Sequence, residues 1–73
     1  MPTINLEETG KNIKELMKTN GVTVVALQEI MGFGTPQAIY KWFKGSTMPT
    51  LDNFVLLAFV LDTTIDKVLV LDK

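Results

Sequence analysis

The stretch that decides the fold is residues 23–45, TVVALQEIMGFGTPQAIYKWFKG, which predicts two short helices joined by a tight turn. Thr23 precedes an apolar run and can cap the first helix, and Gly32 can end it in the left-handed conformation. Thr35 and Pro36 mark the second start, with a capping hydroxyl followed by a proline whose missing N–H costs nothing at the first helical position. The two helices are predicted at 24–31 and from 36 to about 44, before Gly45.

Further short helices flank this stretch on both sides. The helical spacing of apolar residues predicts one helix before it and two after it. Their expected bounds are about Thr9 to Thr19, Leu51 to Leu61 and Ile65 to about Val70. Asn20-Gly21 is expected to end the first of these helices, whereas Thr50 and Thr64 are expected to start the other two. No set of strands is predicted, although the β-branched tail also suits a strand. The fold class is therefore all-α, a compact bundle of five short helices in a single domain over residues 1–73.

Composition argues against several classes of function. The chain contains neither cysteine nor histidine, so disulfides, thiolate zinc sites and the usual general base at neutral pH are ruled out. Its longest apolar run, Phe54 to Leu61, is far shorter than the roughly 20 residues that span a bilayer. The first residues show no secretory signal. We expect a soluble, cytoplasmic, non-enzymatic protein with no metal, cofactor or small-molecule ligand and no contact with a membrane.

Charge is unevenly distributed along the chain, although the net charge is only −1. Residues 1–34 carry −1 and residues 48–73 carry −2, whereas residues 35–47 carry +2 from two lysines with no acid. For nucleic-acid binding, the distribution of charge matters more than its sum. The basic segment contains the second helix of the deciding stretch, so this helix is the candidate for contact with a polyanion.

That helix has two different faces. Ile39, Trp42 and Phe43 recur at i, i+3 and i+4 and form an apolar face, on which Trp42 is expected to anchor the core. Long polar side chains form the opposite ridge, namely Gln37, Tyr40, Lys41 and Lys44. Such a ridge fits a DNA major groove about 12 Å wide, where Gln suits adenine and Lys suits guanine or a phosphate. Taken alone it is more typical of a solvated helix face, but the preceding helix and turn favour DNA binding.

Five segments together resemble the lambda-repressor-like (Xre/Cro-type) helix-turn-helix family. They are GKNIKELM (10–17), TVVALQEIMG (23–32), PQAIYKWFKG (36–45), MPTLDNF (48–54) and IDKVLV (65–70). The resemblance implies a transcriptional regulator, repressor-like, that binds duplex DNA sequence-specifically, commonly as a dimer on a partly palindromic site. It places the helix-turn-helix at about 23–45 and the recognition helix at about 36–44.

The resemblance also implies roles for individual residues. Gln37 takes the place of the leading base reader, with Tyr40 and Lys41 beside it. The expected phosphate contacts are Thr23, Thr35, Lys44, Ser46 and Thr47. Backbone N–H groups at the start of the second helix would support the contact of Thr23.

The fourth helix is apolar all round, and a helix of this kind should be buried all round. The stripe expected to meet the core is Phe54, Leu57, Ala58 and Leu61. The remaining apolar surface is a candidate homodimer interface, made of Val55, Phe59, Val60, Val68, Val70 and Leu71. With equal weight, the fifth helix folds back and covers part of this surface.

Two other interpretations concern function and surface charge. The apolar fourth helix, the acidic composition and the absence of arginine also suit a protein-interaction module, such as an antitoxin or adaptor. Lys11, Lys14 and Lys18 share one face of the first helix, from which they could approach a DNA backbone. Because acids balance them, we interpret them instead as a solubilising surface.

Overall fold

Five helices and one short pair of strands make up the fold. In this computed structural model, which describes residues 2–72, the helices are α1 (Leu6–Thr19), α2 (Val24–Met31), α3 (Gln37–Lys44), α4 (Leu51–Val60) and α5 (Ile65–Val68). The strands are β1 (Thr3–Ile4) and β2 (Leu71–Asp72). The predicted all-α bundle of five short helices is confirmed. Met1 and Lys73, the two ends of the predicted domain, lie outside the described residues.

The first helix begins earlier than predicted. Asn5 caps α1, because its side-chain oxygen accepts a hydrogen bond from the N–H of Glu8 at 2.9 Å. The helix therefore starts at Leu6 instead of about Thr9. Asparagine is among the strongest capping residues, and acidic side chains in the first turn interact favourably with the helix dipole.

Threonine caps were predicted at four helix starts, and two of them are present. The hydroxyls of Thr23 and Thr50 each accept a backbone N–H three residues further along, at 3.1 and 3.4 Å. Thr64 occupies the predicted N-cap position of α5, but its hydroxyl makes no capping hydrogen bond. The prediction that Thr35 caps α3 is wrong. At α3 the capping position is occupied by Pro36, which lies between Thr35 and the helix and has no side-chain acceptor.

The two ends of the chain pair as antiparallel strands. Thr3 lies opposite Asp72, and Ile4 lies opposite Leu71. The last helix accordingly ends at Val68, earlier than predicted, and the backbone then becomes extended. The sequence did not predict this pairing, because each strand has only two residues and its partner lies at the other end of the chain.

Polar side chains of α1 hold the C-terminal segment in place. Thr9 is fully buried, and its hydroxyl accepts the N–H of Val70 at 3.0 Å and donates to the carbonyl oxygen of the same residue at 3.4 Å. One turn later, the Asn12 amide donates to the carbonyl oxygens of Lys67 and Val68, both at 2.9 Å. These bonds satisfy backbone groups that the end of α5 leaves without helical partners.

The core lies where all five helices meet. Its buried apolar side chains are Ile13, Met17, Leu27, Ile39, Trp42, Phe54, Leu57, Ala58, Leu61 and Val68. Trp42 is only 3% exposed, which confirms its predicted role as a core anchor. The Phe33 ring meets it edge to face, with centroids 5.8 Å apart. The predicted inward stripe of α4 is confirmed as well.

Gly10 brings α1 and α3 into backbone contact. A Cβ atom at this position would lie 2.1 Å from the carbonyl oxygen of Trp42 and 2.7 Å from that of Phe43. Both obstructing atoms belong to the backbone near the end of α3, so neither can rotate away. A residue without a side chain is therefore required where the two helices cross.

The outer side of α4 remains largely exposed. Val55 is 57% and Phe59 is 83% exposed, whereas Val60 and Val70 are half-buried. The placement of Val68 in an interface between copies is wrong, because its side chain is completely buried in the chain's own core. The fifth helix thus covers only part of the apolar surface, as the alternative interpretation allowed. Leu71 is also exposed (47%). No helix within residues 2–72 is long and apolar enough to cross a membrane.

Substitution of Gly10 by alanine should destabilise the protein by at least about 2 kcal/mol, because the added methyl group collides with backbone atoms of α3. The free energy of unfolding from urea titration measures this change. Gly34→Ala is the matched control, since a Cβ there meets no atom within 4 Å and the backbone is not in the left-handed region. Equal stability of the two variants would contradict the proposed backbone contact.

Candidate nucleic-acid interface

The third helix buries one face and exposes the other. Ile39 and Trp42 are buried, and Phe43 is half-buried beside them. The predicted polar ridge is exposed along the helix and consists of Gln37, Tyr40, Lys41 and Lys44. The buried face fixes the rotation of α3 about its axis, so these four side chains point away from the core.

The turn between α2 and α3 sets the relative orientation of the two helices. Gly32 ends α2 in the left-handed conformation, with φ 72°. Phe33 then donates its N–H to the carbonyl oxygen of Gln28 at 3.0 Å, and the Gln28 amide donates back to the carbonyl oxygen of Phe33 at 3.3 Å. Since the Phe33 ring also packs against Trp42 of α3, the turn is attached to both helices.

The hydroxyl side chains singled out for phosphate contact lie at helix ends. Thr23 caps α2, Thr35 precedes α3, and Ser46 and Thr47 follow α3, all of them exposed. Eight residues of helix span roughly 12 Å, so the hydroxyls beyond the two ends of α3 are separated by more than the length of the helix. Their contact with phosphates stays a prediction.

Two lysines of α1 join the exposed face of α3. A groove of about 520 Å³ lies between the two helices and is lined by Lys11, Lys14, Tyr40, Phe43 and Lys44. Lys11 also contacts Glu8 at 3.4 Å, in an exposed ion pair. The interpretation of these α1 lysines as a solubilising surface stays a prediction, and the structure adds that Lys11 and Lys14 lie beside Tyr40 and Lys44 of the ridge.

The aromatic pair of Tyr40 and Phe43 lines this groove. The Lys14 ammonium nitrogen lies over the Phe43 ring, 5.8 Å from its centroid. Tyr40 meets the same ring edge to face, with centroids 6.0 Å apart. Phe43 therefore connects a cation of α1 with a side chain of the ridge.

A second groove continues from Lys14 along α1 towards α2. It measures about 500 Å³, and its lining includes Lys14, Lys18 and Thr23 above the apolar side chains of Met17 and Phe43. Through these two grooves the α1 lysines, the start of α2 and the side of α3 form a continuous surface. Within residues 2–72, Glu15 is the one acidic side chain that lines either groove.

The positions of the α1 lysines could have been partly inferred from the sequence. Their spacing at i, i+3 and i+7 places them on one helix face. Nothing in that spacing shows which neighbour the face adjoins. That depends on the crossing at Gly10, which lies next to Lys11 in the chain and brings this face beside Phe43.

Comparison with known proteins identifies the fold as a helix-turn-helix fold. A family model described as helix-turn-helix matches residues 13–68. The crystal structure of the restriction-modification controller protein C.AhdI from Aeromonas hydrophila matches with a TM-score of 0.74 at 22% identity, over 86% of this chain and 94% of that chain. At this identity the likeness shows the fold. No curated protein matches the chain.

The matched region runs from the middle of α1 to the last residue of α5, so it includes α2, the turn and α3 in full. This agrees with the resemblance drawn from the five sequence segments. The chain belongs to the lambda-repressor-like (Xre-type) helix-turn-helix family of DNA-binding transcriptional regulators.

Proposed function

We propose that this protein is a repressor-like regulator that binds a specific duplex DNA sequence by inserting α3 into the major groove. The observation that carries the proposal is the exposed ridge of α3, whose four polar side chains stand opposite a face that is buried at Ile39 and Trp42. The segment that bears the ridge contains no acid. Binding at an operator would block polymerase or recruit it, and this work on DNA would take place in the cytoplasm.

Base reading would fall to the first part of the ridge. Gln37 can donate to and accept from adenine, and Lys41 can donate to guanine O6 and N7. Tyr40 combines a hydroxyl with an apolar ring, and the ring is held against Phe43. Phosphate contacts would set the register of the protein on the duplex but carry no sequence information. They are assigned to Thr23, Thr35, Lys44, Ser46 and Thr47.

A symmetric homodimer is supported by the outer side of α4. Leu51, Val55 and Phe59 follow one another at i, i+4 and i+8 and are 75%, 57% and 83% exposed. Two α4 helices packed antiparallel would set Val55 at the two-fold axis, with Leu51 of each protomer against Phe59 of its partner. Such a surface is self-complementary, as a two-fold interface requires. A dimer of this kind would read half-sites one helical turn of DNA apart, about 34 Å.

The exposed apolar stripe of α4, which consists of Leu51, Val55 and Phe59, also supports a second candidate function. A phenylalanine that is 83% exposed would also suit an apolar protein partner, so an antitoxin or adaptor remains the alternative. The two candidates differ in their use of α3. A regulator needs the polar ridge to bind DNA, whereas an interaction module needs only the apolar stripe of α4.

Gln37→Ala should weaken binding to the preferred duplex by about 1–3 kcal/mol and relax the preference at one position of the site, because it removes a bidentate base contact. Selection from a random duplex pool, followed by sequencing, measures this preference for the parent and the variant. Lys67→Ala on α5 is the control and should select the parent's motif. An unchanged motif for Gln37→Ala would mean that the reading face is assigned wrongly.

Lys44→Gln should weaken binding to all sequences alike, because it removes a contact to phosphate and none to a base. The slope of log K against log salt should become shallower by about one. Fluorescence anisotropy over a salt series provides this slope, with Lys67→Gln as the matched control. A loss confined to particular sequences would instead assign base reading to Lys44.

Phe59→Asp should dissociate the dimer, because it places a charge within an apolar interface. Sedimentation velocity of the free protein and of its complex with DNA tests this prediction. Val25→Asp, at another exposed apolar position (66%), should leave the dimer intact. A parent protein that is monomeric at micromolar concentration and stays monomeric on DNA would rule out the dimer.

A further inference from the structure

The cationic surface of this protein extends beyond α2 and α3. Lys11 and Lys14 project from α1 into the groove that also contains Tyr40 and Lys44 of α3. Both α1 lysines are exposed, and Lys11 has a side chain that is 68% accessible. The carbonyl oxygens of Trp42 and Phe43, near the end of α3, lie directly against Gly10. The two lysines therefore lie beside the recognition ridge and not on a remote face of the protein.

The geometry of a duplex indicates what such cations would meet. When a helix lies in the major groove, the two sugar–phosphate backbones border it on either side, because the groove is only about 12 Å wide. On the Phe43 side of α3, the surface next to the ridge is formed by α1. A backbone that borders the groove on this side would therefore run over the α1 lysines.

We propose that Lys11 and Lys14 of α1 bind the DNA sugar–phosphate backbone beside the recognition helix, and that Phe43 positions Lys14 for this contact. The proposal rests on the proposed duplex binding and adds to it a phosphate-binding strip outside α2, α3 and the loops that adjoin them. It also explains how an acidic chain without arginine presents enough positive charge to a duplex.

The acidic neighbours of this strip leave its cations available. Lys11 faces Glu8 across 3.4 Å, but the pair is exposed, and exposed pairs of this kind hold their partners weakly. A phosphate can therefore replace Glu8 as the partner of Lys11. Glu15 lies in the other groove, with Lys14 and Lys18, and does not line the groove of Lys11 and Tyr40.

The Phe43 ring restricts where the Lys14 ammonium group can lie. A lysine on a free helix surface samples many rotamers, and ordering it against a phosphate costs conformational entropy. Attraction to the ring face favours one region for the ammonium group, within about 6 Å of the centroid. Tyr40 packs against the same ring, with the two ring planes nearly perpendicular, so Phe43 couples the phosphate contact of α1 to the base-reading ridge. Phe43 is in this sense a positioning residue.

The experiment compares binding of the full chain and its variants to one fixed duplex over a salt series. The duplex is the sequence that the parent selects from the random pool. Lys11→Gln and Lys14→Gln should each make the slope of log K against log salt shallower by about 0.9, whereas Lys67→Gln on α5 should keep the parent's slope. Expressed as affinity, the advantage of the parent over either variant should shrink about threefold between 50 and 200 mM salt.

Phe43 is tested by a double-mutant cycle. Phe43→Leu keeps every charge, so the slope should not change, while the affinity should fall about two- to fivefold. In the background of Lys14→Gln the same substitution should cost almost nothing further, because there is no longer a cation to position. A purely structural effect of Phe43 would instead give the same loss in both backgrounds. Thermal melts of all four proteins show whether each is folded at the temperature of the assay.

The possible outcomes separate this inference from the proposed function. If the parent binds duplex DNA and both α1 variants keep its slope, the phosphate-binding strip is wrong while the proposed function stands. If Phe43→Leu costs the same with and without Lys14, the positioning role alone is wrong. If the parent binds no duplex in the selection, the proposed function and the inference that rests on it both fail.

Discussion

At Gly10 the backbone of α1 lies against the carbonyl oxygens of Trp42 and Phe43, so closely that a Cβ would stand 2.1 Å from the first of them. This contact fixes the crossing of α1 and α3, and the other features of the recognition surface depend on it. It holds the buried face of α3 against Ile13 and its core neighbours, and it leaves the polar ridge turned outward. It also brings the face of α1 that bears Lys11 and Lys14 next to Phe43.

The resulting distribution of charge suits a protein that is acidic overall. A net charge of −1 gives little general attraction to DNA, and non-specific binding to polyanions should be weak. Two adjoining grooves are nevertheless lined by Lys11, Lys14, Lys18 and Lys44, which are accompanied there by a single described acid, Glu15. Without arginine, discrimination among bases would depend on few hydrogen bonds. The proposed dimer would raise the affinity for DNA by doubling the number of contacts.

The polar ridge lies on α3 and the outer apolar stripe lies on α4, and the two surfaces differ in how they interact with water. The ridge on α3 consists of exposed polar side chains, which water solvates and which the proposed contact with DNA would desolvate, and the burial of Trp42 on the opposite face keeps the ridge in position. The outer stripe on α4 exposes Phe59 and Val55 to water. Covering these side chains with another apolar surface would be favourable, because it removes apolar area from water. In a domain of this size the core is too small to bury both sides of α4, so the side that bears Val55 and Phe59 stays exposed.

Local rules were sufficient to derive much of this protein from its sequence. Apolar periodicity predicted the five helices and the two faces of α3, and Gly32 marked the end of α2, because each of these signals acts between residues close in the chain. Tertiary structure alone decided the pairing of Ile4 with Leu71, the burial of Val68 and the position of the α1 lysines beside Phe43. These features depend on which surfaces meet when the helices pack, and contacts between distant residues leave no periodic signal in a single sequence.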